Sequence, residues 1–264
     1  MRTTVVIPAR YGSTRFPGKP LADVAGRSLI QRVVQLAEAA EPSGGVCVAT
    51  DDARIVEHVE GFGGRAVMTP ESCRNGTERC AAVLDAFEAS GDVQPDLIVN
   101  LQGDAVLTPP WVIAETIAAA EADADAAITT PATEMTGRSL ELFLEAKAAG
   151  EVGGTTVVMD RAGYALYFSK APIPFQRHPE AGTPIYRHFG LYAYRAASLR
   201  QLVALEPGPL ERVESLEQLR ALENGLKVRV VVVDTRGRSH LAIDSPEDLQ
   251  RVVQVIADEG ELVP

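Results

Sequence analysis

Residues 8–20 (PARYGSTRFPGKP) hold three cations, Arg10, Arg15 and Lys19, within ten residues of one another, together with Gly12 and Gly18. The segment follows a short apolar run, residues 3–7 (TTVVI), that reads as a buried strand. In an open α/β sheet, ligands bind outside the carboxyl ends of the strands, which is where such a loop emerges. Arginine forks onto phosphate oxygens, lysine acts as a point charge, and glycines let backbone amides approach, so a polyphosphate is the natural guest. The same residues also read as a solvated turn. Neither G-x-x-x-x-G-K-[ST] nor G-x-G-x-x-G occurs, which weighs against P-loop NTPases and dinucleotide dehydrogenases.

Two acidic positions complement that loop. A largely apolar run, residues 96–101, ends in Gln102-Gly103-Asp104. A carboxylate there, beside phosphates, suits Mg²⁺, which takes one or two protein carboxylates plus phosphate oxygens. It equally suits an aspartate at a strand-end turn. Asp244 precedes Ser245-Pro246-Glu247-Asp248, an ordinary helix-cap sequence, but together with Asp104 it could hold metal against a transferring phosphate. Asn75-Gly76-Thr77-Glu78-Arg79 opens a helix, and its small polar groups could read a base edge or simply cap.

The elements that must position these groups alternate. Strands are predicted at residues 3–7, 46–49, 65–68 and 96–101, and helices at 28–40, 53–62, 77–89 and 109–122. That order argues for an α/β fold, a mostly parallel sheet with helices on both faces. The second half is richer in strands, at residues 155–159, 164–169 and 188–194, with a hairpin turn at 160–163. A single helix over 210–223, a strand over 228–233 and a closing helix over 246–257 follow. One domain spanning residues 1–264, with an embedded β-rich subregion at roughly 130–195, is the simplest organisation.

Composition narrows the function classes. The chain has 264 residues, 46% hydrophobic and 23% charged, enough for a packed core and unlike a disordered chain. The net charge of −11 disfavours a nucleic-acid coat, so anionic ligands need a local cationic cluster or a metal. No apolar stretch is long enough to span a membrane, and no secretory leader is expected. Cys47, Cys73 and Cys80 form no disulfide framework or zinc pattern, so the cytoplasm is the expected compartment. His58 is expected on a solvated helix face, His178 on a loop and Trp111 at a helix start; His240 lies near the pocket without an assigned role.

Taken jointly, residues 8–20, 49–51, 75–79, 102–104, 163–169, 187–194, 209–220 and 244–249 resemble the 3-deoxy-manno-octulosonate cytidylyltransferases, in order, over nearly the whole chain. The resemblance implies a Rossmann-like nucleotidyltransferase fold whose β-rich subregion builds a homodimer interface. It implies a reaction joining CTP and an acidic sugar into a CMP-sugar and pyrophosphate, assisted by Mg²⁺, with no covalent enzyme intermediate. By position, Ala9, Arg10, Arg15 and Lys19 would hold the nucleotide's phosphates, while Asn75, Gly76, Thr77, Arg79 and Gln102 would shape the cytidine pocket. Asp104 and Asp244 would hold the metal, with Arg10, Lys19 and Asp104 at the catalytic centre. Lys170, Arg187, His188, Tyr192, Glu214 and Gln218 would lie toward the acceptor.

Two positions depart from the family pattern. Ala105-Val106 stands where Glu-Pro usually follows the Gln-Gly-Asp, and Thr156 stands where a strand lysine is expected. Both losses fall on the acceptor side. The sequence therefore leaves the acceptor open between an ulosonic acid such as 3-deoxy-manno-octulosonate and another small acid, such as a phosphonate. A non-catalytic nucleotide-binding protein is the alternative from another class, and the joint presence of Lys19, Asp104 and Asp244 argues against it.

Overall fold

The computed structural model describes residues 1–12, 16–178 and 182–263. In chain order the first half runs β1 (Thr3–Pro8), a one-turn 3-10 helix (Lys19–Leu21), β2 (Asp23–Val24), β3 (Arg27–Ser28), α1 (Leu29–Glu38), β4 (Val46–Thr50), α2 (Ala53–Gly61), β5 (Ala66–Met68), α3 (Gly76–Ser90), β6 (Leu97–Leu101) and α4 (Pro110–Ala122). The second half runs β7 (Ile128–Met135), α5 (Gly137–Ala148), β8 (Thr155–Met159), β9 (Ala165–Ser169), β10 (Ile185–His188), β11 (Leu191–Arg195), α6 (Ala196–Val203), α7 (Pro209–Glu214), α8 (Gln218–Glu223), β12 (Val228–Val232) and α9 (Pro246–Glu259).

Among the described residues, all strands but the short β2–β3 ribbon join one ten-stranded mixed sheet, ordered β5-β4-β1-β6-β11-β7-β10-β8-β9, with β12 also beside β7. The β5-β4-β1-β6 half is wholly parallel. The stretch expected as a β-rich subregion forms the largely antiparallel half of the same sheet, with β12 parallel to β7.

Alternation along β1 shows how the sheet divides the core. Val5 and Ile7 face one apolar cluster with Leu29, Ile30 and Val33 of α1, Val112 and Ile113 of α4 and Val252 of α9. Val6 faces the other, with Cys80, Val83, Leu84 and Phe87 of α3 and Leu199 and Leu202 of α6. A strand's period of two sends successive side chains to opposite faces, so a strand buried on both reads as an unbroken apolar run. Truncating such a residue, Ile7 for instance, costs about 2–5 kcal/mol. No helix of the described residues is long and apolar enough to cross a membrane.

Most predicted elements are present within a residue or two of their expected ends. Two are not continuous. The strand expected at residues 188–194 is two strands on one edge of β7, because the register shifts and the other neighbour changes at Phe189-Gly190: β10 lies between β7 and β8, whereas β11 lies between β7 and β6. Gly190 is where the change happens, since a Cβ there would lie 2.8 Å from Gln102 Nε2. The helix expected at 210–223 breaks at Ser215, whose φ of 53° is left-handed and stops α7. Residues 128–150, left unassigned by periodicity, contain β7 and α5.

Candidate active site

The carboxyl ends of β1 and β6 open into a cavity of about 760 Å³. Nearly all of the predicted site residues line it. Arg15 lies outside the described residues.

Lys19 is the hub. Gly18, at a φ of 73°, packs against the Tyr11 ring and turns the chain into the 3-10 helix that begins at Lys19. Lys19 Nζ then donates to Asp104 Oδ2 at 2.8 Å and to the Ile243 carbonyl at 2.6 Å, and lies 3.7 Å from Asp244 Oδ1. One ammonium thus ties together the loop after β1, the turn after β6 and the segment before α9. Gly103 makes the turn possible, because a Cβ there would lie 2.7 Å from the Pro8 carbonyl oxygen. Asp244 reaches this point because it does not cap α9. Ser245 caps it, in a reciprocal capping box with Asp248.

Asp104 Oδ1 is buried without a hydrogen-bond donor. Two carboxylates flanking one cation, one of them with an unfilled lone pair, form an oxygen donor set that fits Mg²⁺ completed by phosphate oxygens. Among the described residues no larger cluster of metal-ligating side chains exists. Arg10 is exposed at the rim and makes no hydrogen bond or ion pair with a described residue.

The helix N-terminus of α3 forms the second wall. Asn75 caps it by accepting from Glu78 N at 2.9 Å. Asn75 Nδ2 and Thr77 Oγ1 both donate to Glu217, at 3.0 and 2.5 Å. Glu217 comes from the Ser215–Glu217 break between α7 and α8, and its burial raises its pKa. Gly76 sits against Pro8 and Asn100. Arg79 lines the cavity with its guanidinium committed to Asp51 Oδ2 at 2.6 Å and Thr69 Oγ1 at 2.7 Å, so it braces the wall.

The antiparallel half supplies the far end, with Lys170, Arg187, His188, Tyr192 and Gln218. His188 Nε2 pairs with Thr130 Oγ1 at 2.8 Å, and burial lowers the pKa of this imidazole to about 3. Tyr192 OH donates to Gln218 Oε1 at 3.2 Å, leaving Gln218 Nε2 without a partner. Glu214 is not brought to the cavity wall. Its carboxylate accepts from Ser169 Oγ at 2.7 Å and from the Lys170 backbone amide at 2.8 Å, so it orients the Lys170 turn instead.

The two departures have packing explanations. Ala105 and Val106 are buried in the apolar cluster beneath α4. Thr156 is fully buried, and its hydroxyl donates to the carbonyls of Ala171 at 2.6 Å and Ser169 at 3.3 Å.

Sequence reasoning missed Asn100 and Glu217, while His240, expected near the pocket without a role, lines its wall. Asn100 Oδ1 and His240 Nδ1, like Asp104 Oδ1 and Gln218 Nε2, are buried atoms without partners beside this cavity. Asn100 left a signal, a lone amide in an otherwise apolar strand; Glu217 left none. His240 packs against Phe189 with the rings tilted and their centroids 4.2 Å apart, and burial near Arg187 lowers its pKa to about 4. His58, expected to be solvated, is half-buried and bonded to Ser28 Oγ at 2.7 Å.

Comparison with known proteins places the chain. Residues 4–228 match the family model described as cytidylyltransferase. The chain is 52% identical to a 3-deoxy-manno-octulosonate cytidylyltransferase of Maricaulis maris over 100% of both chains. It is 42% identical to one from Desulfatibacillum aliphaticivorans, over 98% of this chain and 100% of the relative. Among solved structures it is similar to a CMP:2-keto-3-deoxy-manno-octonic acid synthetase complexed with CTP, with TM-score 0.85 and 33% identity over 98% of this chain and 100% of that one. A cytidylyltransferase from Leptospira borgpetersenii, at TM-score 0.58 and 16% identity over 100% of this chain and 97% of that one, shares the fold.

Proposed function

We propose, since this chain belongs to the 3-deoxy-manno-octulosonate cytidylyltransferase family, that it joins the CMP portion of CTP to 3-deoxy-manno-octulosonate or a similar ulosonic acid and releases pyrophosphate. The observation that carries this reading is the convergence on Lys19 of Asp104 and Asp244 at a cavity with an uncommitted arginine on its rim.

The reaction is an in-line displacement. An acceptor hydroxyl oxygen attacks the α-phosphorus, the bond from that phosphorus to the bridging oxygen of pyrophosphate breaks, and the hydroxyl proton leaves to solvent. Such transfers need positioning and charge neutralisation rather than covalent chemistry by the protein. Arg10 and Lys19 neutralise the triphosphate, and Lys19 opposes the charge that gathers as pyrophosphate departs. The backbone around Ala9 and Arg10, held by the bond from Ala9 N to the Ala49 carbonyl at 2.9 Å, presents the phosphate loop. Asn75, Gly76 and Thr77, braced by Glu217 and Arg79, hold cytidine with Gln102. Lys170 and Arg187 attract the acid's carboxylate, while His188, Tyr192 and Gln218 meet its hydroxyls. Asp104 and Asp244 would hold Mg²⁺, which supplies further charge neutralisation at the phosphates and lowers the pKa of a bound hydroxyl.

The enzyme is proposed to work as a cytoplasmic homodimer. Edge strand β9 and its surroundings support the dimer, since Leu166, Phe175 and Val213 are 63%, 88% and 84% exposed. The three free cysteines suit a reducing compartment.

The test is pyrophosphate release from CTP with a panel of 3-deoxy-manno-octulosonate, sialic-type acids and small phosphonates. Turnover with octulosonate, and with CTP above ATP and GTP, is expected. Turnover with phosphonates alone would overturn the acceptor, and nucleotide binding without turnover of any acid would overturn catalysis.

A further inference from the structure

The far end of the cavity holds more positive charge than the residues assigned so far. Among the described residues, neither the Lys170 ammonium nor the Arg187 guanidinium is paired with a carboxylate. Helix α5 brings a third cation up to Gly154 at the edge of this place, although Lys147 does not itself line the cavity. This helix has no buried residue, and Leu142 and Leu144 are exposed on it. Two of its side chains nevertheless turn toward Gly154, which lines the cavity. Phe143 presses on it so closely that a Cβ there would lie 2.9 Å from Phe143 Cε2. Lys147 Nζ passes 5.3 Å from the Phe143 ring centroid and donates to the Gly154 carbonyl at 3.0 Å. A Cβ on Gly154 would also lie 3.8 Å from Arg187 Nε, so this glycine, at a φ of 74°, is the point where the ammonium and the guanidinium come together.

We propose that Lys147 is a third anion-binding cation of the acceptor end, acting with Lys170 and Arg187 on the carboxylate of the incoming acid. This rests on the reading of the acceptor as an anionic sugar. A hydrogen bond to Gly154 by itself would need only a neutral donor. Placing a charged group beside two like charges is unfavourable, and an anion bound among them reverses the sign of that interaction. Burial and the positive charges of Lys170 and Arg187 hold the Lys147 ammonium below its ordinary pKa, and the opposing pull of Glu151 and Glu214 is smaller. Lys147 also returns, from a helix instead of a strand, a cation to the side of the cavity where Thr156 offers none.

Three variants test this in steady-state assays at saturating CTP, using the acceptor that the wild type turns over fastest in the panel above. Lys147→Gln keeps a donor for the Gly154 carbonyl and removes the charge. The acceptor KM should rise by about tenfold to a hundredfold, the usual range for losing a charge-assisted bond to an anion, with kcat and the KM for CTP unchanged. Lys147→Arg should restore most of the loss, and Lys147→Glu should be worse than the glutamine variant. An acceptor KM for Lys147→Gln equal to that of the wild type overturns the proposal. So does equal impairment of the glutamine and arginine variants, which would mark Lys147 as a packing residue. If octulosonate itself proves not to be a substrate, the acceptor assignment above fails while this comparison still runs with the acid that is used.

Discussion

Lowering the pH from 7 to 5 should strip about 4 kcal/mol from the folding stability, through His188 and His240. An unfolded histidine titrates near 6.5. In the folded protein burial lowers His188 to about 3, with the charges of His240 and Lys170 adding to the effect, and lowers His240 to about 4, with Arg187 adding to it. Both imidazoles are therefore neutral in the folded state across this window while the unfolded chain takes up protons. Their stabilisation is present in full above pH 6.5 and is lost as the pH falls toward the folded values. The slope approaches 1.4 kcal/mol per pH unit per histidine, or roughly 2 kcal/mol each by pH 5. The carboxylates whose pKa values are lowered by partners, such as Asp123 and Asp248, lose their contribution only at lower pH, below about 4. Glu217, raised by burial, acts in the opposite direction and trims the loss at the acid end. Urea unfolding at pH 7, 6 and 5, with the wild type beside His188→Gln and His240→Gln, measures this directly. Each variant should lose about half of the pH dependence. A stability that is flat from pH 7 to 5, or a His188→Gln protein that keeps the full slope, would refute the assignment of two buried neutral imidazoles.

Asp104→Asn should leave a folded protein whose kcat is lower by about a thousandfold, comparable to losing a major electrostatic group at a reacting centre; near-normal kcat at saturating Mg²⁺ would contradict its role. Lys19→Ala should lose about 2–4 kcal/mol of transition-state stabilisation, read as kcat/KM for CTP, and should lower the melting temperature, because Asp104 and Asp244 are then left without the cation between them. Glu217→Gln should raise the KM for CTP with little effect on the acceptor KM, since the carboxylate takes bonds from both Asn75 and Thr77; equal rises in both would argue against a nucleotide-side role. Gly190→Ala should weaken discrimination of CTP from other nucleotides by pushing Gln102 out of place, and an unchanged preference would exclude that contact.

What was legible in the sequence had a local cause. The unbroken apolar runs of β1, β4 and β6, the caps at Ser28, Asp52 and Asn75, and the cation-rich loop after β1 all follow from residues near one another in the chain. The juxtaposition of Lys19 with Asp104 was reachable because both lie at carboxyl ends of parallel neighbours. What escaped depended on distant partners. Apolar alternation alone does not separate one strand at 188–194 from two, because the change at Gly190 is set by Gln102 and by the exchange of β8 for β6 as the outer neighbour while the chain stays on one edge of β7. The αL break at Ser215 carries neither Gly nor Pro, so helical periodicity runs through it. Glu217 enters the site only because the break between α7 and α8 turns it inward. Glu214 was expected at the acceptor from the family resemblance, but its carboxylate turns to Ser169 and the Lys170 amide.

The closure of α9 by Ser245 and Asp248 divides labour between neighbouring residues. Were Asp244 the cap, its loss would unravel the helix and obscure any chemical effect. With the end already sealed, and given the proposed metal role of Asp244, Asp244→Asn should leave an intact scaffold on which both substrates settle and linger, a vehicle for catching the ternary assembly before bond exchange.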